Sequence, residues 1–135
     1  MSRFNETKLD LTSGTVEVGA GLTWDQVYEV LEPTGVNVVG GRVSSIGVAG
    51  LTLGGGECLT SSESSISYAL LGYSYLSSQY GLTIDNIAEY ELVFPNGTVG
   101  IVTSDDDELW FGLRVSSVQA KYRLVSLMAF NFREG

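Results

Sequence analysis

The chain lacks residue types that common catalytic and metal sites require. Its 135 residues include no histidine and a single cysteine, Cys58. The absence of histidine excludes Ser-His-Asp and Cys-His nucleophile systems and every histidine-containing metal site within this chain. A single cysteine also excludes an internal disulfide, so cysteine usage says nothing about the redox compartment.

Positive charge is scarce as well. Seven Lys and Arg against 16 Asp and Glu give a formal net charge of −9 at pH 7. Binding of nucleic acid or an anionic membrane needs clustered Lys and Arg, so we expect neither partner. No apolar run approaches the roughly 18 residues of a membrane-spanning helix, and the N-terminal residues show no signal-peptide core. The sequence therefore predicts a soluble, acidic domain and leaves its localisation and oligomeric state open.

Glycine, by contrast, is abundant and concentrated in one stretch. Eight of the 17 glycines lie in the range Gly35–Gly56. Glycine loses more conformational freedom on folding than other residues, so this density is typical of backbone that turns sharply or approaches a ligand closely. Arg42 is the only basic residue between Leu9 and Leu113. An anionic ligand of this stretch would need Arg42 and backbone N–H groups, although a solvated surface arginine near a carboxylate is the simpler interpretation of Arg42.

Hydrophobic periodicity and turn residues predict interleaved strands and helices. A capping box at Thr23 and Gln26 begins a helix that Pro33 and Gly35 end, and the Asn-Gly pair in segment 95–98 predicts a hairpin. Predicted strands cover 15–18, 36–39, 87–94, 99–103 and 122–132, and helices cover 24–31, part of 73–80, and 109–114. This order indicates an α+β or α/β fold.

Three ligand-binding patterns are absent. Gly19 and Gly21 follow a predicted strand, but Trp24 stands where a Rossmann fingerprint needs its third glycine. The chain contains no Gly-Lys-Ser/Thr of a P-loop. The acidic run 105–108 lacks the spacing of an EF-hand and instead suits the N-terminus of a helix.

Four short motifs occur in order: Gly47–Gly50, Leu51–Gly56, Tyr80–Leu82 and Asp85–Ile87, followed by a strand that ends in Pro-Asn-Gly. In this order they resemble the FAD-binding (PCMH-type) domain of the oxygen-dependent FAD-linked oxidoreductases. These are the berberine-bridge-enzyme-like members of the vanillyl-alcohol-oxidase superfamily, and the likeness is greatest to the fungal branch. The resemblance implies an α+β fold with a mixed sheet flanked by helices, and FAD as the cofactor. It also implies oxidation of a small-molecule substrate (an alcohol, sugar or secondary metabolite) with oxygen as acceptor.

The resemblance further implies which residues contact the flavin. In the family, the loop equivalent to 42–50 wraps the flavin through backbone N–H groups, and later positions line the ribityl chain and the isoalloxazine ring. The matching positions here are Val43, Ser44, Ser45, Gly47, Val48, Gly50, Gly54, Gly81, Leu82 and Asn86. A flat ring and a pyrophosphate need this close approach of backbone and oriented donors. Doubly covalent members carry a cysteine where Val43 stands, so that thioether is not available here. The resemblance assigns no catalytic residue and no metal ligand to this chain.

Three departures from the family pattern shape the predicted domain organisation. The upstream Arg-Gly-Gly-Gly-His-like flavin loop is absent, residues 57–72 interrupt the motif order, and Val-Ser-Ser follows Arg114 in place of Gly-Gly-Gly. We therefore expect a truncated FAD-binding domain at 1–114 with an insertion at 57–72, and a divergent C-terminal segment at 115–135. Translated introns and a real surface loop both stay open as explanations. The alternative function is a non-enzymatic remnant that no longer binds flavin.

Overall fold

A computed structural model describes residues 4–53, 74–115 and 124–134. The expected insertion at 57–72 and the predicted site residue Gly54 lie outside these ranges. The strands are β1 (Thr7–Asp10), β2 (Thr15–Gly19), β3 (Val36–Val38), β4 (Ile87–Val93), β5 (Val99–Val102) and β6 (Leu124–Glu134). The helices are α1 (Trp24–Leu31), α2 (Val48–Leu53), α3 (Ser77–Tyr80) and α4 (Asp107–Val115), with 3₁₀ turns at Glu32–Thr34 and Thr83–Asn86.

The strand β6 is the centre of the sheet. It pairs antiparallel with β2 on one side and β4 on the other, and its last residues pair with β3. The order is β1-β2-β6-β4-β5, and all the described pairs are antiparallel. A strand predicted at 122–132 is found at Leu124–Glu134, and residues 122–123 lie outside the described ranges. It belongs to the segment that the sequence set apart as divergent, yet it joins both halves of the sheet.

The helix α1 covers the core because its apolar residues recur every three or four positions. Its N-terminus forms as predicted, since the Gln26 carboxamide accepts the N–H of Thr23 at 3.0 Å. Trp24 is fully buried, and its ring meets the Phe130 ring of β6 edge-on, with 5.3 Å between the centroids. The core therefore lies between α1 and the central strands.

The β4–β5 hairpin and the helix α4 also confirm predictions from local sequence. In the hairpin turn, the Asn96 side chain accepts the N–H of Thr98 at 3.0 Å. At the start of α4, the carboxylate of Asp106 accepts the N–H of Leu109 at 3.3 Å, so this acid caps a helix. Within the described ranges, no cluster of three or more possible ligands could hold a metal ion. No helix in that part of the chain is both long enough and apolar enough to cross a membrane. Together these elements confirm the α+β class.

Candidate cofactor site

The glycine-rich loop that follows β3 lies directly on the side chains of α1. A Cβ atom on Gly40 would be 2.2 Å from ring carbons of Trp24, and one on Gly41 would be 2.6 Å from Cδ1 of the same ring. Both positions therefore need glycine. The Tyr28 hydroxyl donates to the carbonyl of Gly41 at 2.9 Å. Burial raises the pKa of Tyr28, so this hydroxyl keeps the proton that it donates.

Further along the loop, Ser45 adopts a left-handed backbone conformation with φ of 64°. Its N–H donates to a carboxylate oxygen of Asp25 at 2.5 Å, across 20 positions of sequence. A non-glycine residue with positive φ is uncommon and persists where its surroundings hold it. The Asp25 carboxylate holds Ser45 in this conformation, so the first two turns of α1 shape the loop at three points: Trp24, Asp25 and Tyr28.

The N-terminus of α2 is tied to the chain that precedes α1. The N–H of Val48 donates to the carbonyl of Leu22 at 2.9 Å, and the N–H of Trp24 donates to the carbonyl of Ile46 at 3.0 Å. The Val48 side chain is fully buried in the core. The structure therefore places Val48 behind the loop, where it supports the backbone from the core.

The opposite side of the loop is open. Val43, Ser44, Ser45, Gly47 and Gly50 are exposed. A Cβ atom on Gly47 or Gly50 would meet no heavy atom of the described residues within 4 Å. These predicted positions thus form a stretch of accessible backbone with short side chains.

The second predicted segment, Gly81–Asn86, lies beside the first because α2 contacts the 3₁₀ turn at Thr83–Asn86. Gly81 has φ of 82° and ends α3, and Leu82 is half-buried. Asn86 is buried, and its amide nitrogen donates to the carbonyls of Tyr80 and Leu82, each at 2.9 Å. The structure brings the two segments together, and it shows the Asn86 amide engaged with its own chain.

The donor set can be tested against the chemistry of FAD. Exposed backbone at Gly47 and Gly50, free of side chains, fits a flat ring or ribityl chain that approaches the main chain closely. The carboxylate of Asp25, by contrast, already accepts the Ser45 N–H and would repel a pyrophosphate there. The loop residues therefore fit the uncharged part of FAD better than its phosphates.

Two surface cavities lie near these segments. One of about 570 Å³ is lined mainly by acidic and polar residues of α1 and its neighbours: Asp25, Tyr28, Glu29, Glu32, Gly35, Val36 and Asn37. The other, of about 360 Å³, is lined by Ile84, Asp85, Trp110, Phe111 and Arg114. The carboxylates of the larger cavity disfavour an anionic ligand.

Sequence reasoning missed Asp25, Tyr28 and Asp85 as residues that shape the site. Neither Asp25 nor Tyr28 belongs to any of the motifs found in the sequence. One available signal was the pairing of a glycine doublet with an aromatic pair one helical turn apart, since glycines often mark places where backbone meets a large side chain. Only the fold shows which backbone N–H groups donate to the carboxylates of Asp25 and Asp85.

Comparison with known proteins identifies the family. Residues 1–103 match the family model described as "FAD binding domain". An FAD-dependent monooxygenase of Fusarium proliferatum is 36% identical over 115 residues, which are 84% of this chain and 19% of that protein. An FAD-dependent monooxygenase of Penicillium roqueforti is 34% identical over 109 residues, or 80% of this chain and 18% of that protein. The chain thus spans about a fifth of the length of these curated relatives.

Solved structures share the fold over nearly the whole chain. The BBE-like 1 protein of Physcomitrella patens superposes with a TM-score of 0.79 at 28% identity, covering 99% of this chain and 26% of that one. 6-Hydroxy-D-nicotine oxidase of Arthrobacter nicotinovorans superposes with a TM-score of 0.77 at 22% identity, over 99% of this chain and 26% of that one, and shows the fold alone.

The family prediction made from the motif order is therefore confirmed. The match covers more than half of the chain, and several fungal relatives are more than 30% identical to it over the aligned residues. The chain belongs to the FAD binding domain family, a BBE-like protein is among its structural neighbours, and its cofactor is FAD.

Proposed function

We propose that this domain holds the flavin of an enzyme that oxidises a small-molecule substrate (an alcohol, sugar or secondary metabolite) with oxygen as acceptor. The observation that carries the proposal is the exposed backbone at Gly47 and Gly50, presented by a loop that α1 holds from behind. The fungal relatives are named FAD-dependent monooxygenases, which supports an oxygen-using flavoenzyme.

The residues of this chain would divide the work of binding. Gly47 and Gly50 admit the flavin to the main chain, and Val43, Ser44 and Ser45 border it. Gly81, Leu82 and Asn86 form the other side of the proposed flavin site, its second wall. Val48 supports the glycine-rich loop, the first wall, from the core. Gly54 is the remaining predicted flavin-contacting residue. A flavin held by these residues would supply two-electron redox chemistry for oxidation of the substrate. The chain's own contribution is placement of the cofactor and exclusion of water at its backbone face.

We also propose that 1–114 forms the flavin-binding unit, with 57–72 inserted in it and 115–135 diverging from the family pattern. The family match to residues 1–103 supports the first part. The strand β6 of the divergent segment pairs with β2 and β4, so the unit would fold only with that strand in place.

The binding proposal is tested by titrating the whole chain with FAD and following flavin fluorescence and absorbance. Gly50→Leu is the informative variant, because it puts a side chain on the open face of α2. Gly112→Leu is its matched control, since Gly112 is also helical and its Cβ would likewise meet no heavy atom of the described residues within 4 Å. Both substitutions favour the helix by removing glycine.

We expect the wild type and Gly112→Leu to bind FAD with equal affinity. We expect Gly50→Leu to bind at least about tenfold more weakly, equivalent to about 1.4 kcal/mol. Equal binding by all three proteins would place the flavin elsewhere. A wild-type chain that leaves free FAD unchanged would instead favour a remnant that no longer binds flavin.

A further inference from the structure

One ion pair in the described part of the chain joins two elements that are distant in sequence. Nη2 of Arg114 in α4 lies 2.5 Å from Oδ1 of Asp85 in the 3₁₀ turn, across 29 positions. The other salt bridge there, between Lys8 and Glu6, is local and highly exposed. The Asp85–Arg114 pair is therefore a tertiary link.

The second oxygen of the same carboxylate has its own partner. Oδ2 of Asp85 accepts the N–H of Leu82 at 3.0 Å. A Cβ atom on Gly81 would lie 3.1 Å from that oxygen, so the carboxylate rests against Gly81 as well. One side chain thus connects α4 to the peptide between two predicted flavin-contacting residues.

The next residue in sequence reinforces this arrangement. The Asn86 amide donates to the carbonyls of Tyr80 and Leu82, so Leu82 is held at both its N–H and its carbonyl. A backbone segment held at donor and acceptor by adjacent side chains has little freedom to change its φ and ψ angles. The conformation of the second wall is therefore set by Asp85 and Asn86.

Arg114 is itself fixed by aromatic packing. Its guanidinium lies 5.9 Å from the centroid of the Trp110 ring, which in turn meets the Tyr90 ring of β4 edge-on at 5.3 Å. A cation on a ring face is attracted by the ring quadrupole. The guanidinium is therefore held in place by α4 and the sheet, and its ion pair in turn fixes the position of the Asp85 carboxylate.

We propose that Asp85 and Arg114 are positioning residues for the flavin: together they hold Gly81 and Leu82 in the conformation that contacts the cofactor. This inference rests on the proposed function, because it takes the 81–86 segment as a flavin wall. Neither side chain needs to touch the flavin. Each acts through the Leu82 peptide.

The test is a double-mutant cycle of Asp85→Asn and Arg114→Gln in the whole chain. Asp85→Asn keeps an oxygen that can accept the Leu82 N–H but removes the charge that Arg114 pairs with. Glu108→Gln is the matched control, since it makes the same change of charge on an exposed residue of α4. The readouts are FAD affinity, the fluorescence and visible spectrum of the bound flavin, and the melting temperature without FAD.

We expect each single variant to bind FAD about tenfold more weakly and to alter the flavin spectrum in the same way, with the double variant no worse than either. The melting temperature without FAD should change little, because a half-exposed ion pair stabilises weakly. Arg114→Lys, which retains the positive charge, should recover part of the affinity. Glu108→Gln should behave as the wild type.

Unchanged affinity and spectrum in both variants would overturn the positioning role while leaving the proposed function intact. Independent, additive effects would also overturn it, because a shared link predicts coupling. A loss of affinity that only follows a loss of stability would reduce the pair to a structural role. A wild-type chain that does not bind FAD would refute the proposed function and this inference with it, which separates the two failures.

Discussion

Replacement of Gly40 by alanine tests whether the glycine-rich loop is anchored on α1. The new Cβ would lie 2.2 Å from Cε3 and Cζ3 of Trp24 and 2.6 Å from the Tyr28 hydroxyl, whereas ordinary contacts begin at 3.4 Å. The indole would have to move by about 1 Å to restore normal packing. It has little room to do so, because it is fully buried and packed against Phe130.

Overpacking of this kind costs about 1–3 kcal/mol, and the rigid indole places Gly40→Ala at the upper end. For a domain of this size, the melting temperature should fall by roughly 10 °C. Gly47→Ala is the control, since its Cβ would meet no described heavy atom within 4 Å and its φ is not positive. That variant should remain within about 0.5 kcal/mol of the wild type.

The assay is urea denaturation followed by circular dichroism, with the melting temperature as a second measurement. Gly40→Ala should shift the urea midpoint downward, while Gly47→Ala should not. The reasoning would be refuted if both variants unfolded at the same urea concentration as the wild type. Such a result would mean that the loop does not rest on Trp24.

Two further predictions concern single polar groups. The Tyr90 hydroxyl is buried without a hydrogen-bond partner in the described structure. Tyr90→Phe should therefore leave the free energy of unfolding, measured by urea denaturation, unchanged or raise it by up to about 1 kcal/mol. A clear decrease in the free energy of unfolding would reveal a hydrogen-bond partner for the hydroxyl. The Asp10 carboxylate accepts the N–H groups of Thr12 and Ser13, which lowers its pKa from the ordinary 3.8. Its stabilisation of the β1–β2 turn is therefore complete above pH 3.8 and is lost as the pH falls through the lower folded-state pKa. The chemical shift of the Thr12 amide should follow that titration, and a shift that also persists in Asp10→Asn would contradict the assignment.

Much of the fold could be predicted because the relevant signals are local. The apolar spacing and capping residues of α1, the Asn-Gly turn of the β4–β5 hairpin, and the apolar character of β6 all act over a few positions. The strand β1 was missed because it is a polar edge strand that alternates between half-buried and exposed residues. The helix α2 was missed because its N-terminus depends on tertiary contacts, such as the Val48 N–H to the Leu22 carbonyl.

For the proposed site, the family resemblance implied only which segments would line it. The resemblance implied that the glycine-rich loop and the 81–86 segment both contact the flavin, and the fold brings these two segments side by side through α2. The sequence carried no signal that Asp25 engages the Ser45 N–H or that Asp85 joins Leu82 to Arg114. These contacts span up to 29 positions, and single carboxylates on exposed surfaces follow no periodic pattern.

The central claim, that this chain binds FAD through the exposed backbone of the loop and the 81–86 segment, is tested most directly by amide NMR. Spectra of the ¹⁵N-labelled whole chain would be recorded during a titration with FAD. We expect saturable shifts at Ser44, Gly47, Gly50 and Leu82, with little change at the exposed hairpin turn around Asn96. An absence of saturable shifts, or shifts confined to residues away from these two segments, would contradict the account.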